Sequence, residues 1–189
     1  MKKKLFLMRH GQTLFNLKEM VQGACDSPLT DLGKKQARAA RELFDLACVD
    51  HFFTSPQGRA VETMEEVTSC PYEVVKDLRE MNFGSKEGDP NSTMPPREQM
   101  DNYFVALGGE SRQQVNRRMR QALQAIMDRP ENHNVLAVSH GAAIANFVRD
   151  CPGLPFEFPT KNCTVFTLEY DTDTKVFTVM DRQAPEAAA

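Results

Sequence analysis

The chain has 189 residues, 41% hydrophobic and 26% charged, which suits one globular domain with a sizeable core and leaves little room for a second. Its 23 basic and 26 acidic side chains give a net charge of -3 with no long run of either sign, so neither nucleic acid nor an anionic membrane is indicated as a partner and any anion site must be local. Five cysteines, odd in number and without a C-x-x-C pair, argue for reduced thiols. The four apolar residues before Arg9 are too few for a signal-peptide core, no stretch has spanning length, and a soluble cytoplasmic protein is expected.

The first predicted element is a strand over residues 4–9, where Leu5-Phe6-Leu7-Met8 runs directly into Arg9-His10-Gly11. A short apolar run bounded by charge and glycine reads as a strand buried on both faces, and ligands of open α/β sheets bind at the carboxyl ends of such strands. Thr30 is a credible N-cap for a helix whose apolar positions Ala37, Ala40, Leu43, Phe44 and Ala47 recur at steps of three and four. A strand over 50–54 leads through Ser55-Pro56 into a helix over 57–68, and a short strand is placed at 73–76. Residues 81–110 contain three prolines and several glycines, which predicts an irregular, lid-like insertion with one short helix around 96–106. Ser111 caps a helix carrying Val115, Met119, Leu123, Ile126 and Met127 inward. A strand over 134–139 ends in Ser139-His140-Gly141, and a helix opens just after it. Residues 163–170 and 175–180 flank a polar turn and read as a hairpin. Alternating strands and helices predict a three-layer α-β-α sandwich with a mostly parallel central sheet and an antiparallel edge strand, all within a single domain over 1–189.

Two strand-His-Gly arrangements 130 residues apart place His10 and His140 at one edge of such a sheet. Gly141 allows close approach of a ligand, and the N–H groups of Gly141 and Ala142 at the following helix start offer an anion site. Arg59 falls in the first turn of its helix, where a cation is disfavoured, so something anionic should hold it; a bound phosphate accounts for this more simply than a distant carboxylate. Two guanidiniums, Arg9 and Arg59, with two imidazoles suit a phosphoryl group. Attack on phosphorus by neutral imidazole requires a proton for the leaving oxygen, and Glu80 is the best-placed acid, with Glu87 and Glu110 behind it. Paired histidines could instead ligate a metal. No carboxylate or cysteine stands at i+3 or i+4 to either, and the arginines would repel a cation, so no metal or cofactor is expected. His51 and His133 read as ordinary surface residues, and Arg79 as a supporting charge.

These segments resemble the histidine phosphatase superfamily, also known as the phosphoglycerate mutase-like family. The resemblance rests on Arg9-His10-Gly11 with Gln12, Thr13 and Asn16, then Gln22-Gly23, Asp26-Ser27-Pro28-Leu29-Thr30, Gly33 and Gln36-Ala37. It continues through Ser55-Pro56, Arg59-Ala60 and Thr63, then Leu78-Arg79-Glu80 with Phe83-Gly84, then Gly109-Glu110-Ser111, and closes on Ser139-His140-Gly141. It implies that His10 is a nucleophile forming phosphohistidine, that Arg9, Arg59 and His140 bind phosphoryl oxygens with Asn16 assisting, and that Glu80 donates the proton. Gln22 reads either as a pocket residue or as a loop amide. The function expected is hydrolysis of a small phosphorylated metabolite. Mutase-type phosphotransfer is the alternative, although the insertion carries only Lys86 and Arg97 as basic residues for a substrate carboxylate. A non-catalytic phospholigand-binding protein finds no support, since every expected catalytic residue type is present. The 81–110 insertion and the loop over 151–162 are expected to set specificity.

Overall fold

The structure, a computed structural model, describes residues 1–155 and 160–186. Residues 156–159 of the loop singled out above, and the terminal alanines expected to fray, lie outside the described residues, as does the side chain of Arg97. In chain order the elements are β1 (Lys2–Arg9), the single turn α1 (Leu14–Leu17), α2 (Asp31–Ala39), β2 (His51–Thr54), α3 (Gly58–Val67), β3 (Tyr72–Val74), α4 (Met100–Tyr103), α5 (Arg112–Met127), β4 (Asn134–Ser139), α6 (Gly141–Val148), β5 (Val165–Asp171) and β6 (Val176–Gln183).

The strands form one sheet in the order β3-β2-β4-β1-β5-β6. The first four run parallel, and β5 and β6 form the antiparallel hairpin against β1. Side-chain alternation divides the core in two. Leu5, Leu7, Phe53, Val135 and Ala137 face α5 and α6, while Phe6, Met8, Phe52, Leu136 and Val138 face α2 and α3. Apolar runs rather than alternating patterns mark β1 and β4 because both faces of the sheet are covered. In register, Arg9 lies beside Ser139, and Thr54 beside Val138. The residues that follow, His10, His140 and Ser55, therefore leave the sheet at the same edge.

Several boundaries differ from expectation. β1 starts at Lys2 because β5 pairs with it from the first residues, Lys2 bridging Glu169 and Asp171 while the buried Lys3 ammonium donates to the Met127 and Arg129 carbonyls. The helix expected through Ala47 stops at Ala39, tightens into a 3-10 turn over Ala40–Leu43 and gives way to extended backbone at Phe44. That turn lets the Phe44 ring stack on Phe6, centroids 5.3 Å apart, and Asp45 caps the next short turn. The insertion is a chain of 3-10 turns around α4, ended by Gly108 at φ +80°. Thr30 and Ser111 cap α2 and α5 as expected, Ser111 in a reciprocal capping box with Gln114.

Candidate functional site

His10 and His140 leave β1 and β4 with ring centroids 5.2 Å apart, both buried. The Nδ1 of His10 lies 2.7 Å from the Gly11 carbonyl oxygen. A carbonyl only accepts, so Nδ1 carries the proton and Nε2 presents its lone pair. His140 is set the opposite way. The Arg59 Nε–H donates to its Nδ1 at 3.1 Å, which leaves the proton on Nε2, 2.6 Å from the Ser55 hydroxyl. Burial, reinforced by the charge of Arg59, holds both imidazoles well below the usual histidine range, so both are neutral near pH 7.

Arg59 is almost fully buried despite its charge. Its Nη1 donates to the Cys25 carbonyl at 3.0 Å and pairs with Asp26 at 2.7 Å, and its Nη2 donates to the Gly23 carbonyl at 2.9 Å. A carboxylate of the protein, Asp26, thus pairs with this cation near the start of α3, a partner that the sequence expectation of a bound phosphate did not include. One Nη2 hydrogen stays available to a ligand, since the other four N–H groups are used. Asp26 also accepts from the Gly58 amide at 2.5 Å, so one acid aims the guanidinium and caps its helix.

Arg9 donates through Nη1 to the Thr160 carbonyl, and its guanidinium lies against Gly141, where a Cβ would come within 3.3 Å of Nε. The glycine after His140 makes room for this arginine. Two buried polar atoms here have no partner, Arg9 Nε and Thr160 Oγ1. Buried donors are rarely left unpaired, so such atoms mark a place where a polar ligand completes the bonding.

Glu80 is buried and its carboxylate sits on the first turn of α6. Oε1 accepts from the Ala143 and Met81 amides, each at 2.7 Å, and Oε2 from the Ala142 amide at 3.0 Å. The Ala142 N–H assigned from sequence to an anionic ligand is therefore given to Glu80. Arg118 holds the backbone that carries Glu80. Its fork takes both oxygens of Glu110, at 2.8 and 2.9 Å, and its other N–H groups donate to the carbonyls of Asp77, Arg79 and Glu80 at 2.9, 2.7 and 3.0 Å. Glu110 in turn accepts from Asn82 and Arg79. The other reserve acid, Glu87, receives the amides of Ala24, Cys25 and Phe83, so both serve as loop anchors.

Asn16 reaches the site indirectly. Its Oδ1 accepts from Thr13 N and from the Asn162 amide, and the same Asn162 group donates to the His10 carbonyl at 3.1 Å. Gln22 accepts from Thr13 Oγ1 at 2.7 Å and donates to Ser27 Oγ at 3.1 Å, which is the loop-amide arrangement. Behind the His10 loop, Thr63 accepts from Gly11 N, and a Cβ on Gly11 would lie 2.5 Å from the Gly33 carbonyl oxygen. Ser55, Asn162, Thr160, Asp26 and Gln57 all enter the site, although none was assigned a site role from sequence. Gln57 accepts from Glu80 N and donates to the Gly23 carbonyl, tying the acid to the loop that holds Arg59. Asp26 and Ser55 at least stand within the recurring motif blocks. His51 and His133 are exposed at the opposite, amino-terminal side of β2 and β4. Among the described residues no group of three or more His, Cys, Asp and Glu is arranged to hold a metal ion, and no helix is long and apolar enough to cross a membrane.

A mixed six-stranded sheet with histidines at the carboxyl edge of its central parallel strands is the architecture of phosphoglycerate mutase-like α/β proteins. The crystal structure of phosphoglycerate mutase from Bacillus anthracis matches with a TM-score of 0.81 and 23% identity over 95% of this chain and 92% of that one. YhfR of Bacillus stearothermophilus matches at 0.79 with 29% identity over 98% and 97%. The chain belongs to the histidine phosphatase superfamily, whose branch 1 model matches residues 5–182. A probable phosphoglycerate mutase GpmB of Yersinia enterocolitica is 33% identical over 181 residues, spanning 88% of this chain and 84% of the relative.

Proposed function

We propose that the chain is a phosphomonoester hydrolase that acts through a phosphohistidine on His10. The observation that carries this reading is the tautomer of His10: with Nδ1–H given to the Gly11 carbonyl, Nε2 of a neutral imidazole keeps its lone pair, in a ring 5.2 Å from that of His140 and within the field of Arg59 and Arg9. In the first displacement Nε2 attacks phosphorus, the ester P–O bond breaks, and Glu80 protonates the departing alkoxide. In the second, Glu80 takes a proton from water, whose oxygen attacks phosphorus and releases inorganic phosphate and free His10. Arg9 Nε, the remaining Arg59 N–H and the Nε2–H of His140 donate to the equatorial oxygens, with Ser55 yielding its place beside His140 to the ligand. Phosphoryl transfer depends chiefly on positioning and charge stabilisation. Fixed guanidiniums supply that charge here, so the reaction needs neither metal nor cofactor. Asn162 and Asn16 fix the His10 loop rather than contacting phosphate. A small phosphorylated metabolite is the partner, and five free thiols fit a cytoplasmic setting.

Hydrolysis of p-nitrophenyl phosphate with a chelator present, across pH 5 to 8, tests the reading, and no turnover at any pH would refute it. Phosphotransfer between positions of one substrate is the second reading, favoured by the name of the Yersinia relative. Incubation with 3-phosphoglycerate separates them, since a mutase yields the 2-isomer and a phosphatase inorganic phosphate.

A further inference from the structure

Beside Glu80 lies a cavity of about 140 Å³ whose walls are mostly apolar. Met81 and Phe83 line it from the segment after Glu80, Met94, Met100 and Phe104 from the insertion, and Ala145 from α6. Phe83 and Phe104 meet edge to face at 5.0 Å and fix one wall, while the half-buried Met94 and Met100 form an adaptable one. The cavity adjoins the residues that bond the acid. Met81 contributes both to its lining and to the N–H that binds Glu80, and so does Ala142.

Resting on the phosphatase reading, we propose that the cavity receives the alcohol portion of the substrate and selects phosphomonoesters of apolar alcohols, such as benzyl or branched-alkyl phosphates, over phosphoglycerates and sugar phosphates. Size agrees with this, because apolar cavities of about 150 Å³ stay dry and take up a benzene ring. Arg112, Asn146 and Arg149 also line it, but the exposed wall is mostly apolar, so a polyol entering the same space would surrender water from more hydroxyls than these three side chains could serve, and sites that leave polar groups unpaired discriminate strongly. One of the two arginines in the lining points the same way. Arg112 is paired with Asp101 of the insertion at 2.8 Å, so a substrate carboxylate would have to displace an acid already in place.

The test compares kcat/KM of the full chain for benzyl and isopentyl phosphates with that for 3-phosphoglycerate and glycerol 3-phosphate, all esters of aliphatic alcohols of similar intrinsic reactivity. The expected preference for the apolar pair is tenfold or more, since one methylene in an apolar pocket is worth roughly 10- to 200-fold. Met94→Gln and Met100→Gln, at half-buried positions that tolerate polarity, each reduce that ratio at least threefold. A preference under threefold, or one that both variants leave unchanged, overturns the proposal. Labelling of His10 by phosphoramidate checks the underlying reading separately, because the ammonia it releases needs no apolar cavity. Labelling with a flat substrate ranking refutes the cavity's role alone, whereas no labelling and no turnover refutes the phosphatase reading together with it.

Discussion

Replacing Arg118 by methionine removes the clamp under Glu80 while keeping a long apolar stem. The substitution abolishes two charge-assisted bonds to Glu110, at 2.8 and 2.9 Å, and three bonds to the carbonyls of residues 77, 79 and 80. Summing five bonds would overstate the loss, because Glu110 keeps Arg79 and Asn82 as partners and the loop relaxes toward water. Removing one partner of a buried pair costs about 3–5 kcal/mol, and for a chain of this length each kcal/mol moves Tm by about 2–4 °C, so a fall of about 6–20 °C follows. Burial pushes the Glu110 carboxyl up, but the bonds and charge of Arg118, the Asn82 amide and Arg79 outweigh it and hold the group below its ordinary range. Its stabilisation is therefore complete above about pH 4.3 and is lost as pH falls through the lower folded value, so the variant loses that part of the acid sensitivity. Catalysis should suffer beyond stability: a freed 77–80 backbone displaces Glu80, and misplacement by an ångström costs about a hundredfold. Thermal melts from pH 3 to 7, with kcat for p-nitrophenyl phosphate measured well below Tm, check both effects. Arg118→Lys keeps charge but not the fork and should recover less than half of each loss. A methionine variant that melts within 3 °C of the parent and keeps kcat within twofold would refute the clamp.

His10→Ala should abolish acid-labile labelling by a phosphodonor, while persistent label would place the nucleophile elsewhere. Asp26→Asn leaves Arg59 without its charged partner, and the resulting drift of the guanidinium should cost about 10- to 100-fold in kcat/KM, corresponding to about 1.5–3 kcal/mol for a charge-assisted bond; an unchanged value would show that the carbonyls of Gly23 and Cys25 suffice. Gly141→Ala pushes a methyl against Arg9 and should lower kcat/KM about tenfold with Tm held or raised, because alanine favours helix; unaltered kinetics would mean that Arg9 gives way freely. Both buried histidines have lowered folded values, chiefly through burial, so the unfolded chain binds more protons below about pH 6.5. Stability is complete above that pH and falls below it, with a limiting slope of about 2.7 kcal/mol per pH unit for two groups. Urea midpoints at pH 7.5 and 5.5 should reveal the decline, and His10→Asn should make it shallower.

What the sequence disclosed follows the range of the interactions. His10 and His140 were legible because each ends an apolar run, and a parallel sheet carries such runs to one edge. Caps at Thr30 and Ser111 were legible because a cap is a bond to an amide three residues on. Asp26 was not recognised as the partner of Arg59, since 33 residues separate them and an acid in a polar loop has no pattern of its own. Asn162, 152 residues from His10, is hidden for the same reason. Periodicity carried the α2 helix too far because Ala40 and Phe44 do face the core, but through a 3-10 turn and an extended residue that keep apolar spacing without helix.

The contact between Gly11 and Gly33 gives the signature glycine a meaning other than flexibility. Gly11 has no positive φ; what it supplies is vacancy, filled by the backbone of α2, and a side chain on Gly33 would in turn strike the Gln12 carbonyl. The two positions act as a mortise and tenon cut from one chain. The aim of His10 is thus set from behind by the backbone of a helix, and a methyl at position 33 should misdirect His10 as surely as one at position 11.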